Sequence, residues 1–170
     1  MAATQDLNAG RLTEDGIRYV MMRPDVLMGV AHGLSAQNAA LFFKALENSA
    51  FLHSQASFSQ YRAGQMSVTE DVLSGWFSIA ARLGWGQWSS PQTSALSHEV
   101  VVHDSPFAAG HGPSAVPVCA AIAGVLKAMM LVARSAVVEV REVACAAQGS
   151  PSCRFNVTPA KPQDSDRSSR

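Results

Sequence analysis

The residues best suited to chemistry in this chain gather near its C-terminal end, where Cys119, Glu142, Cys145 and Cys153 stand in the pattern C-x22-E-x2-C-x7-C. They include every cysteine in the sequence. Three thiolates and a carboxylate make a four-donor set, and sulfur-rich tetrahedral sites select Zn²⁺ over the hard cations that prefer oxygen. The same thiols could instead be small buried hydrophobes or a redox group, because free cysteine is among the most buried residue types and C-x7-C is looser than a metal knuckle.

For the four groups to meet, the chain must supply three local features. Gln148-Gly149-Ser150-Pro151 reads as a turn between two β-rich runs, so a hairpin brings Cys145 and Cys153 together. Cys119 follows Pro117 at the start of an Ala-, Leu- and Met-rich helical run, and a helix N-terminus favours the thiolate. Glu142 and Cys145 are three apart and would face opposite sides of a regular strand, so a bulge or strand end is required near Val143 or Ala144.

Upstream, the apolar residues Ile17, Val20, Met21, Met28 and Val30 predict two short helices between Asp15 and Gly33, broken at Arg23-Pro24. Ser35 is an N-cap for a long helix that ends before Gly64, and Thr69, with Glu70 and Asp71 behind it, starts another that runs to Gly84. Gly86–Ser89 and Leu96–Asp104 read as strands separated by a turn at Ser90-Pro91-Gln92. Helix resumes near Ser114 or Pro117 and continues to Ala133, and a hairpin of Ala136–Ala144 with Arg154–Thr158 closes the chain. The order of elements predicts an α+β fold with an antiparallel, four-stranded sheet covered by helices.

Other motifs carry less. Gly110-His111-Gly112-Pro113-Ser114-Ala115 formally fits G-x-G-x-x-A, but a proline sits in the loop and no βαβ unit surrounds it, so it reads as a loop leading into a helix capped by Ser114. No G-x-S-x-G elbow supports a hydrolase. His103 ends an apolar strand beside Asp104; it is either a surface histidine or an imidazole available to a metal. Trp76, Phe77, Trp85 and Trp88 cluster where helix gives way to strand, either as core or as walls for a flat apolar ligand.

At 170 residues the chain predicts one domain over 14–158, with a flexible N-terminus at 1–13 and a disordered Pro-, Ser- and charge-rich tail at 159–170. Charged residues make up 15% and the formal net charge is zero, which argues against nucleic acid as a partner. The N-terminal residues show no signal-peptide pattern and no run reaches membrane-spanning length, so a cytoplasmic protein with reduced or metal-bound thiols is expected.

Residues 95–158 resemble the 4-vinyl reductase domain family, through Pro117-Val118-Cys119, Gly124, Arg141-Glu142-Val143-x-Cys145 and Cys153-Arg154-Phe155. Gly16-Ile17-Arg18-Tyr19-Val20 and Arg23-Pro24-Asp25-Val26-Leu27-Met28 are similar to the opening of the family's photosynthetic, bacteriochlorophyll-synthesis branch. The resemblance implies a helix-covered antiparallel sheet, the ligand-binding-like fold shared with Golgi-transport proteins, which commonly forms a homodimer around an apolar pocket. It also implies structural Zn²⁺ on Cys119, Glu142, Cys145 and Cys153. His103 falls in a stretch where aromatic sensors of the family carry a ligand-contacting tryptophan, which makes an imidazole available to a Mg-tetrapyrrole, with Trp76, Trp85, Trp88 and Phe107 as ring walls. The function implied is an accessory protein that binds a Mg-porphyrin or chlorophyllide intermediate and presents it to bacteriochlorophyll-synthesis enzymes. The alternatives are a reductase of the tetrapyrrole vinyl group, for which the sequence shows no evident nicotinamide or flavin site, and a stand-alone small-molecule sensor.

Overall fold

A computed structural model describes residues 4–6, 10–14, 17–64, 72–93 and 98–160. Three short antiparallel strands come first, β1 (Thr4–Asp6), β2 (Arg11–Glu14) and β3 (Ile17–Tyr19). They are followed by α1 (Pro24–Met28), a 3-10 turn (Gly29–Gly33), α2 (Ala36–Gly64) and α3 (Val72–Arg82). Next come β4 (Gln87–Thr93), β5 (His98–His103), α4 (Pro106–His111) and α5 (Ala120–Arg134), and the hairpin β6 (Val138–Ala144) and β7 (Cys153–Pro159) ends the domain.

The expected α+β class and four-stranded antiparallel sheet are present, in the order β4-β5-β7-β6. β7 follows the two-residue period of a half-buried strand: Cys153, Phe155 and Val157 point inward and the residues between them outward. Its inward row continues across the sheet, since Cys153 stands opposite Val102 and Val102 opposite Trp88. α5 is buried nearly all round, as a helix apolar on every side must be, and it packs between α2 and the sheet.

Several expectations from sequence give way to tertiary pairing. Ile17–Tyr19 forms a strand where a helix is predicted, because it pairs with β2 while Val20 and Met21 stay exposed and offer no apolar helical face to a core. Thr4–Asp6 and Arg11–Glu14 likewise pair as strands within the segment read as flexible. Ser90-Pro91-Gln92 is no turn: it lies inside β4, an edge strand whose register shifts between Ser89 and Gln92, which is where a sheet tolerates proline. α4 is an additional helix, opened by Ser105, whose Oγ accepts from Ala108 N at 3.4 Å. Ser114 bonds locally to Val116, and Cys119 occupies the cap position of α5 in its place.

Other expectations hold. Ser35 Oγ accepts from Asn38 N at 3.3 Å at the head of α2, although that helix runs through Gly64. The helix start expected at Thr69, the strand start at Leu96 and the tail from residue 161 onward lie outside the described residues.

The approach of α2 to α5 depends on Gly124. A Cβ there would collide with the Glu47 carbonyl oxygen and crowd Phe51 N and the Ala50 methyl, and backbone cannot step aside as a side chain can. Nearby, Lys127 forms an ion pair with Glu47 across the same interface. Gly124→Ala should therefore lower unfolding stability by about 2 kcal/mol despite alanine's better helix propensity. Urea denaturation of the two proteins measures the difference; equal midpoints would mean the helices part freely.

Candidate metal centre and adjoining cavities

Three local structures deliver the four donors. Cys119 caps α5, Cys153 is the first residue of β7, and Cys145 follows β6 in an extended conformation just before the turn at Ala146–Gln148. Glu142 pairs with Phe155 and Ala144 with Arg154, so Val143 is the extra residue of a bulge at the place where the sequence requires one. That inserted residue turns Cys145 to the side Glu142 already faces.

The donor atoms of Cys119, Glu142, Cys145 and Cys153 all lie within 4.8 Å of one another. Cys119 Sγ is 3.9 Å from Cys145 Sγ and 3.4 Å from Cys153 Sγ. Sulfurs bound tetrahedrally to one zinc would stand about 3.8 Å apart. All three cysteines are fully buried. Glu142 Oε2 accepts from Cys119 N at 2.9 Å, whereas Oε1 is buried and has no hydrogen-bond partner. A buried carboxylate oxygen without a donor is costly unless a cation meets it, and this one sits among three sulfurs.

The electrostatics express the same crowding. Hydrogen bonds from Cys119 and Cys145 pull the Cys153 thiol down to about 4, with Ala146 N–H also helping the thiolate. Hydrogen bonding to Cys145 and Cys153, together with burial, pushes the Cys119 thiol up. Burial raises Glu142 to about 8, with Cys145 adding to the rise and Cys119 N–H opposing it. Four acids packed in a dry pocket cannot all ionise without a positive charge among them. The set could therefore hold a metal ion, and with four protein donors such an ion would cross-link three segments of chain rather than activate water. Ser105 was not anticipated as a neighbour: its buried Oγ lies 3.2 Å from Cys119 Sγ. The Ser-Pro pair at 105–106, a helix-start signal, could have placed it.

The residues expected to form one ligand wall are divided. Trp76 is buried and stacks on Phe58 at 4.6 Å between ring centroids. Trp85 meets Phe107 edge-on at 5.0 Å, and Trp88 packs against Phe77 at 5.7 Å while its Nε1 donates to Trp85 O. Trp76 and Trp85 border a small cavity of about 110 Å³ between α2, α3 and α5. Trp88 and Phe77 instead line an open groove of about 640 Å³ between α3 and β4, together with Gln87 and Arg134. His103 is exposed and borders neither space, but it stands opposite Gln87 across the β4–β5 ladder.

At the end of α5, Arg134 Nη1 lies 3.0 Å from His98 Nε2, so the imidazole must be neutral and accept. Burial, and then Arg134, lowers the His98 pKa below its ordinary 6.5.

The fold and site define an α+β ligand-binding class of domain with a closed Cys3Glu donor set. Residues 98–159, the segment that carries all four donors, match the 4-vinyl reductase domain. The chain is similar to the phenol-responsive sensory domain of the transcription activator PoxR, solved with phenol, at 17% identity and TM-score 0.77 over 95% of this chain and 87% of that one. It is similar to a vinyl-4-reductase family protein from Methanocaldococcus jannaschii, at 15% identity and TM-score 0.54 over 86% of this chain and 100% of that one. It is also similar to trafficking protein particle complex subunit 3 from Naegleria fowleri, covalently bound to palmitic acid, at 13% identity and TM-score 0.55 over 81% of this chain and 95% of that one. At such identities the likeness is one of fold. No curated protein sequence matches the chain.

Elemental analysis of the purified protein should find about one metal ion per chain, and Cys145→Ser or Cys153→Ser should lose it along with much of the soluble yield; metal-free but fully folded wild-type protein would contradict this. For His98, whose folded pKa is depressed, the stabilising contribution is complete above about pH 6.5 and is lost as the imidazole is forced to protonate below it. The fall in Tm between about pH 7.5 and about pH 5.5 should accordingly be smaller in His98→Gln, and an unchanged pH profile would show that His98 contributes nothing.

Proposed function

We propose that this chain is a zinc-stabilised 4-vinyl reductase-domain protein of bacteriochlorophyll synthesis that binds a tetrapyrrole intermediate, a Mg-porphyrin or chlorophyllide, and presents it to the enzymes of that process. The observation that carries the reading is the separation of two features: a buried four-donor cluster suited to holding structure, and an open, partly apolar groove away from it. Zn²⁺ is the ion that three thiolates and one carboxylate favour, and when bound it would supply cross-linking.

The groove supports the second half of the proposal. Its volume of about 640 Å³ falls in the range of small-molecule sites, and Phe77 and Trp88 give it aromatic surface. The similarity of residues 16–28 to the photosynthetic branch supplies the ligand class. His103, exposed and across the ladder from Gln87 at the groove, is the imidazole offered to the central Mg. Exposed Val20, Met21, Val26 and Val30 support the expected homodimer, since such residues are uncommon in one area without a partner. No helix among the described residues is long and apolar enough to cross a membrane.

A stand-alone small-molecule sensor is the second reading, and one specific observation favours it. Trp76 borders the cavity of about 110 Å³, is fully buried, and its Nε1–H has no partner among the described residues. Apolar cavities of roughly 150 Å³ take benzene, so a ligand in this one would be about a single ring in size.

Titration of the purified protein with a Mg-porphyrin should shift the pigment's absorption with saturation near one per chain. Ser78→Trp, a change at an exposed α3 position on the groove, should abolish the shift. His103→Ala should alter the spectrum of bound Mg-porphyrin but not that of its metal-free analogue; identical spectra would remove His103 from the site. Reduction of a divinyl tetrapyrrole by the protein with NADPH alone would replace the carrier reading with the reductase, and binding of phenol-sized molecules only would favour the sensor.

A further inference from the structure

Arg134 differs from the other paired cations of the fold. Arg23 meets Asp25, Lys127 meets Glu47 and Arg154 meets Glu99. Arg134 has no carboxylate among the described residues and donates instead to the neutral ring of His98. It is nonetheless held in place. Ser135 adopts a left-handed conformation (φ 53°) that stops α5 directly behind it, and the His98 contact anchors one end of the guanidinium.

A guanidinium carries five donors arranged to match a carboxylate, and a single bond to an imidazole uses one of them. Arg134 also lines the α3–β4 groove, whose remaining lining consists of the aromatic rings of Phe77 and Trp88, aliphatic residues, serines and Gln87. Within that lining Arg134 is the only charged side chain, and the groove contains no acid to oppose an anion. Favourable interaction with the α5 C-terminus would suffice to explain a cation in the last turn. It does not explain why the cation borders an apolar groove with an acceptor that an anion would readily displace.

We infer that Arg134 reads a carboxylate on the ligand at the edge of the α3–β4 groove, so that the groove takes tetrapyrroles with a free propionic acid side chain in preference to their esters. This rests on the carrier reading above and narrows its substrate class. The ring lies against Phe77 and Trp88, the propionate reaches Arg134, and His98 gives up its place as acceptor. Esterification removes the charge and leaves the guanidinium with its weaker imidazole partner, so esterified intermediates are bound less well and released more readily.

The test compares deuteroporphyrin with its dimethyl ester, in one detergent, on the full chain. Wild type should bind the free acid about tenfold more tightly, and Arg134→Gln should bind the two about equally. Because Arg134 is exposed, that variant should fold normally. A second readout separates recognition from structure: the His98 imidazole, followed by NMR, should titrate at higher pH once the free acid is bound and should not move with the ester. Retention of the acid preference in Arg134→Gln, or equal binding of acid and ester by wild type, would overturn the carboxylate assignment while leaving the carrier reading in place. Failure of wild type to bind either porphyrin would overturn both.

Discussion

Convergence of Cys119, Glu142, Cys145 and Cys153 on one buried point constrains the whole C-terminal half of the molecule. The four groups come from a helix start, a strand bulge, the residue after that strand and the first residue of the next. Any slip of β6 against β7 by one residue would turn its side chains to the opposite face and break the cluster. The bulge at Val143 therefore has a chemical purpose. It offsets the alternation once, so that two donors three residues apart reach the same side.

Fixing Cys119 fixes the start of α5, and through α5 the rest of the core. Nine consecutive or near-consecutive α5 residues are buried, so the helix cannot rotate or slide without exposing apolar surface. Its contact with α2 is close enough that only a glycine fits at 124. α4 is fastened to the same assembly at its other end by Ser105, which both caps α4 and touches Cys119 Sγ. Gly110 then brings α4 against the Pro24 backbone of α1, leaving no room for a side chain. A chain of contacts thus runs from the donor cluster to the N-terminal helices.

Much of this was legible because it depends on local spacing. The donor pattern, the hairpin turn, the need for a bulge near Val143 and the Ser35 cap all follow from residues close in sequence, and each has its counterpart in the structure. What was not legible depends on partners far away or on sheet position. Ile17–Tyr19 has helical apolar spacing, yet its backbone is taken by β2. Pro91 looks like a turn residue until β4 is known to be an edge strand with a shifted register. The aromatic cluster was visible as composition, but its division between a small cavity and an open groove depends on which face of α3 each ring leaves, and sequence does not give that.

That division matters for how the domain can handle a ligand. A binding site built on the metal cluster would couple ligand capture to the stability of the fold, since any movement of the donors would cost metal affinity. Here the groove is bordered by α3, by the edge strand β4 and by the last turn of α5, and none of these supplies a donor to the cluster. β4 lies at the free edge of the sheet and carries an irregular register, so it can adjust without disturbing β7 and Cys153 two strands away. A rigid interior held by sulfur and a yielding rim at the sheet edge are what a protein needs if it must take up a large flat molecule and then let it go. The same arrangement would suit a sensor poorly, because a ligand bound at a compliant rim transmits little strain to the core; a sensing role belongs to the small cavity between α2, α3 and α5, whose walls are the core itself.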